Sequence, residues 1–143
     1  MITTIPFRII TIDKGSYHLL IKVYINRKVA NLIIDTGASK TVFDKNRIEK
    51  YVVNKKFDLN DKLSIGLGTS SMESHFTVLK KIKIGAMEIK DYDAILLDLS
   101  NVNESYANIG LAPIDGVLGS DILLKNMAII NYEKKTLRLK YSK

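Results

Sequence analysis

The chain has no cysteine among its 143 residues. That excludes a disulfide framework and any thiolate chemistry, and it suits a reducing compartment. Long apolar runs are missing as well. The longest, such as "AILL" at 94–97, fall far short of the roughly 20 residues a bilayer-spanning helix needs. The first ten residues, "MITTIPFRII", carry neither the basic start nor the extended apolar stretch of a secretion signal. Cytoplasm is therefore the expected compartment, with a removed export signal as the alternative, and no membrane partner is expected. Histidine is scarce: His18 and His75 stand alone and far apart, which speaks against a zinc site. His18 lies on an alternating segment and reads as a strand-face residue. No metal or other cofactor is expected. No histidine falls in a catalytic-triad pattern, and "GLGTSS" lacks the lysine that a phosphate-binding loop requires.

Acidic residues are outnumbered. Twenty-two Lys and Arg against fifteen Asp and Glu give a net charge of +7. A basic surface for nucleic acid is one reading of that excess. The lysines, however, alternate with apolar residues, as around Leu137, Leu139 and Tyr141 in "TLRLKYSK", and no block of five like charges occurs. Solvated strand faces explain this pattern better, and nucleic acid is not expected as a partner.

What the chain does have is short β-branched and aromatic segments separated by turns. "IPFRIITI" and "YHLLIKVYI" flank Lys14-Gly15, a hairpin signal. Asn26 and Arg27 turn the chain into "KVANLIID". A short helix is expected over 44–51, with Asp44 as its cap, and another in "SDILLKN", with Ser120 as its cap. Residues 100–109 read as a loop or short helix. "DKLSIGLGTSSMESHFTVLK" reads as a hairpin with glycines at its tip. "IKIGAMEIKDYDAILLDL" gives two or three strands around Gly85, and "MAIINYEKKTLRLKY" a terminal hairpin. No linker or low-complexity segment interrupts residues 1–143, so a single all-β domain is expected, a partly closed barrel with one or two short helices.

Within this pattern "LIIDTGAS" stands out, because Asp35 directly follows Leu32, Ile33 and Ile34. A carboxylate near apolar surroundings is costly unless it is paired or hydrogen-bonded. Thr36 supplies a hydroxyl that both donates and accepts, and Gly37 permits close approach of backbone or ligand. As a bare tripeptide Asp-Thr-Gly is weak, expected by chance in about 3% of chains this long. "DGVLGSD" faintly echoes it, again an apolar stretch running into glycine and a small residue, as an internal two-fold repeat would produce.

Taken with its flanks, the sequence resembles the retropepsin-like aspartic peptidases, single-domain relatives of pepsin. The matching segments are "LIIDTGAS" at 32–39, "SIGLGTS" at 64–70, "IKIG" at 82–85 and "IDGVLGSDIL" at 114–123, in the family's order and across roughly residues 17–141. The resemblance implies that Asp35 is the catalytic aspartate. Thr36 would be the threonine that hydrogen-bonds across the base of the site to its counterpart. Gly37 and Ala38 would line the cleft where an extended peptide lies. Ile65, Gly66, Leu67, Gly68 and Thr69 would belong to the flap that closes over that peptide. Val117, Leu118 and Gly119 would pack beneath the catalytic loop.

The reaction needs two carboxylates that share one proton. With one Asp-Thr-Gly per chain, a homodimer is expected, with Asp35 contributed twice. Asp115 in "IDGVLG" is a poor substitute: it lacks the threonine, precedes the apolar pair and reads as a turn residue before a strand. Asp121 reads as a first-turn helix residue. Two departures concern bracing. Where retroviral members commonly carry an acidic residue and an arginine that pair, this chain has Ser39 and Ser120. By resemblance the terminal segments "MITTIPFRII" and "TLRLKYSK" are the dimer strands; from the residues alone they could equally be edges of a monomer. The leading expectation is an aspartic endopeptidase acting on extended peptide. A peptide-binding module of the same fold without turnover is the alternative, and a basic nucleic-acid-binding barrel trails both.

Overall fold

The computed structural model describes residues 1–52, 58–60 and 74–143. Strand β1 (Ile2–Pro6) alternates exposed and buried residues, and β2 (Arg8–Asp13) follows after a single residue. Strands β3 (Ser16–Ile25) and β4 (Lys28–Ile34) are joined by Asn26 and Arg27 at φ 47° and 71°. Such a left-handed two-residue turn matches the twist of the strands it connects. Further along come β5 (Val42–Asp44), a 3-10 turn at Ile48–Tyr51, β6 (Asp58–Asn60), β7 (Ser74–Ile84) and β8 (Met87–Leu97). Helix α1 (Ser100–Asn108), β9 (Gly116–Leu118), helix α2 (Ser120–Lys125), β10 (Ile129–Asn131) and β11 (Thr136–Lys140) complete the chain.

Pairing closes a barrel. β3 runs antiparallel to β4, β4 parallel to β9, and β9 antiparallel to β5. β5 runs parallel to β8 and β8 antiparallel to β7. β7 returns to β3 through Tyr24–Lys83 and Ile25–Ile82, which closes the ring. β2 and β6 extend it. β9 is thus inserted, from far along the chain, between β4 and β5, two strands that are neighbours in sequence but do not pair with each other.

This insertion explains the apolar run before Asp35. Leu32 and Ile34 point into the barrel with Phe43 and Leu118. Ile33 points the other way, into a second cluster with Leu20, Val117 and Tyr106 of α1. A strand covered on both faces reads as continuous hydrophobicity rather than alternation. Each such side chain contributes about 1.5–3 kcal/mol on burial.

Several segments differ from their sequence-based expectation. "IPFRIITI" is two strands, because the chain changes sheets at Phe7, whose ring is buried and whose N–H donates to Lys135 O at 2.9 Å. The expected helix over 44–51 is only the 3-10 turn; Asp44 ends β5 and is buried, its carboxylate accepting from Asn46, Leu99 and Asn103. Ser120 is the first residue of α2 rather than its cap, the preceding Gly119 being extended at φ −101°, ψ −178°. Residues 100–109 are indeed mostly helix. The terminal segments pair with each other inside one chain, β1 on β11 and β11 on β10, which makes β1 and β10 the edges of a three-stranded sheet. The glycine tip expected at 64–70 lies outside the described residues. No helix among the described residues is long and apolar enough to cross a membrane.

Candidate active site

Asp35 sits one residue past β4, and its position is fixed from the backbone outward. Its N–H donates to Leu118 O at 3.0 Å, its carbonyl accepts from Ala38 N at 3.2 Å, and its Oδ1 accepts from Gly37 N at 2.9 Å. A Cβ on Gly37 would stand 3.2 Å from that same Oδ1, closer than most side chains tolerate. The carboxylate is half-buried and its Oδ2 has no hydrogen-bond partner among the described residues.

The loop that carries it is held by the start of α2. Ser120 Oγ donates to Thr36 O at 2.7 Å and Ser120 N to Ala38 O at 2.7 Å. Gly119 N donates to Thr41 Oγ1 at 3.0 Å, and that hydroxyl donates in turn to Asp121 Oδ1 at 2.7 Å. Asp121 Oδ1 also accepts from Thr41 N at 2.9 Å. One threonine hydroxyl is thus used in both directions. Tyr92 belongs to this cluster: burial first, and then the Asp121 charge, raise its phenol well above the ordinary tyrosine value. Gly119 is required for space, since a Cβ there would lie 2.6 Å from the carbonyl of Lys40.

Asp35 and Thr36 face a cavity of about 570 Å³. Its floor is apolar, with Leu19, Ile33, Leu99 and Val117, and its polar wall includes His18, Asp98 and Asn101. His18 Nδ1 lies 2.6 Å from Tyr106 Oη, the rings stacked at 5.8 Å. Burial pushes Tyr106 up to about 12, so its hydroxyl keeps its proton beside His18.

Of the residues expected in the site, Asp35, Thr36, Gly37 and Ala38 form this one loop, with Ala38 buried beneath it. Ile65, Gly66, Leu67, Gly68 and Thr69 lie outside the described residues. Val117, Leu118 and Gly119 lie under the loop as expected. Asp115 directly precedes β9, as expected, but it lies in no turn: its N–H donates to Asn31 O at 2.8 Å and its side chain is almost fully buried. It accepts from Asn31 N at 2.9 Å and Arg47 Nε at 2.9 Å, with Lys50 Nζ at 3.2 Å, and it does not line the cavity. Asp98 does line it, but is held ionised. The Ser100 hydroxyl and N–H, then the Asn46 amide, keep its carboxyl below the ordinary value, the opposite of what a proton-sharing partner requires. Sequence reasoning missed His18, Tyr106 and Asp98 as neighbours of Asp35. It noted Ser120 only as a cap and as a departure from the retroviral pattern, and did not single out Thr41.

A closed barrel with an Asp-Thr-Gly loop pinned over an apolar Val-Leu-Gly segment defines a retropepsin-like aspartic protease fold. Solved structures agree. A retropepsin-like aspartic protease from Rickettsia conorii superposes with a TM-score of 0.58 at 19% identity, covering 99% of this chain and 90% of that one. The retroviral protease-like domain of Ddi1 from Leishmania major gives 0.56 at 14% identity, over 88% and 94%. EIAV protease complexed with the inhibitor HBY-793 gives 0.53 at 23% identity, over 74% and 85%. No protein of curated function matches the sequence. The family model described as "Aspartyl protease" matches residues 21–122, and the chain belongs to that family.

Proposed function

We propose that the protein is an aspartic endopeptidase that works as a homodimer, each copy supplying one Asp35. The observation that carries this reading is the setting of that carboxylate. It is aimed by three backbone hydrogen bonds at the edge of a 570 Å³ cavity, with Oδ2 left open. Nothing in the described part of the chain offers a second carboxylate fit to share its proton: Asp115 is buried elsewhere in ion pairs and Asp98 is held ionised. A two-fold axis beside Thr36 supplies the missing partner.

Two such carboxylates at close range hold one proton between them, and their apparent pKa values belong to the pair. The ionised member takes a proton from a water whose oxygen attacks the scissile carbonyl carbon. The protonated member donates to the carbonyl oxygen, giving a gem-diol. Collapse of that intermediate breaks the C–N bond as a proton reaches the leaving nitrogen. Substrate lies extended, its backbone adding to strand edges and alternate side chains entering pockets.

The test is hydrolysis of denatured protein by the wild type and by Asp35→Asn, with sedimentation of both in the presence and absence of a statine-type transition-state mimic. Cleavage is expected to fall to background in Asp35→Asn, a loss of at least about 10³-fold, while its barrel stays folded. A wild type that stays monomeric at high concentration and cleaves nothing would leave a peptide-binding module instead.

A further inference from the structure

We propose that the cavity beside Asp35 accepts a basic substrate side chain, Arg or Lys, with Asp98 as its counter-ion. The inference rests on the peptidase reading and specifies what that site selects. The chain carries a formal charge of +7 with 22 Lys and Arg, yet no Lys or Arg is among the described residues lining this cavity, while two, Asp35 and Asp98, are acidic. Asp98 is exposed but held in place: its Oδ1 accepts from Ser100 N at 2.9 Å and Asn46 Nδ2 at 2.8 Å, and the Ser100 hydroxyl also acts on the carboxylate. Lys45 acts on it only through space, without an ion pair.

The rest of the cavity suits the remainder of such a side chain. Leu19, Ile33, Leu99 and Val117 offer an apolar wall for a three- or four-carbon stem, which long basic side chains bury readily. Tyr17 and Tyr132, both well exposed, line the same cavity and add aromatic surface at which a cation is favoured. A carboxylate held at the cavity, an aliphatic floor and aromatic rims together describe a guanidinium or ammonium site better than a purely apolar pocket.

The experiment compares peptides that are identical except for Arg or its neutral isostere citrulline, placed in turn on either side of the scissile bond. In the wild type, kcat/KM for the Arg peptide is expected to exceed that for the citrulline peptide by about two- to fivefold, as for a solvent-exposed charge pair. That ratio should fall to about one in Asp98→Asn and recover in part in Asp98→Glu, and it should shrink as salt is raised. Binding of the same peptides to Asp35→Asn, measured by calorimetry, is expected to show the same preference without turnover. A wild type that cleaves both peptides equally, or an Asp98→Asn that loses the same factor on both, overturns the counter-ion role and leaves the peptidase reading intact. Arg-selective binding with no cleavage would do the reverse. Absence of both binding and cleavage would remove the two together.

Discussion

Gly119 adopts a backbone that any residue could take, φ −101°, yet no other residue fits, because a Cβ would meet Lys40 C and O at 2.6 Å and Ala38 O at 2.9 Å. Those atoms are the backbone of the loop that carries Asp35. Gly119→Ala is therefore expected to push loop and helix apart, costing roughly 1–3 kcal/mol in chemical denaturation and reducing activity with it. Asp115 makes a second residue-scale case. Its carboxylate is almost fully buried while Arg47 and Lys50 remain partly exposed. Asp115→Ala leaves the Arg47 guanidinium and the Asn31 N–H without their acceptor, and because the cations can turn to water the expected cost is about 3 kcal/mol, the low end for a broken buried pair. The two acids also show what single residues disclose. Asp35 is announced locally, by Thr36 and Gly37 and the apolar run before it. Asp115 was legible only as a residue ahead of a strand, since it lies in no turn and its burial depends on residues 68 and 84 positions away, which no local pattern encodes.

Among elements, the contact between the Asp35 loop and α2 is the one on which the site depends. Ser39 and Ser120 stand where the resemblance puts an acid and an arginine in retroviral members, and within this chain the loop is held through Ser120 Oγ and the Thr41–Asp121 pair. A double-mutant cycle with Thr41→Val and Asp121→Ala is expected to show coupling of about 1–2 kcal/mol in stability, and each single variant to lower kcat more than it raises KM if the loop is displaced. Hairpins were readable because their turns carry chemical signatures, as at Asn26-Arg27. β5 was not. A three-residue strand has no periodicity to display, and residues 42–44 are extended only because β8 and β9 flank them on either side. Likewise the change of sheet at Phe7 is dictated by β11, at the far end of the chain, with Pro6, which lacks an N–H to continue a ladder, as the sole local cue.

Viewed as a whole, the molecule is sealed around three phenols. Burial raises Tyr51, Tyr92 and Tyr106 above the ordinary tyrosine value, Tyr106 to about 12, with Asp115 adding to the effect at Tyr51 and Asp121 at Tyr92. An unfolded chain would lose these protons near pH 10, whereas the folded chain keeps them. The stability tied to the three groups is thus complete below pH 10 and is lost as pH climbs through the folded values. Thermal unfolding followed between pH 8 and 12 should show Tm dropping above pH 10, and absorbance of tyrosinate should show three of the seven tyrosines ionising late. The placement of β9 has a further consequence, for the order in which the protein is made. Thr36 receives its hydrogen bond from a serine 84 positions later, and the Asp35 N–H waits for Leu118. A ribosome-bound chain therefore makes its Asp-Thr-Gly long before the partners that fix it, and the loop takes its final shape only after residues 118–120 have emerged.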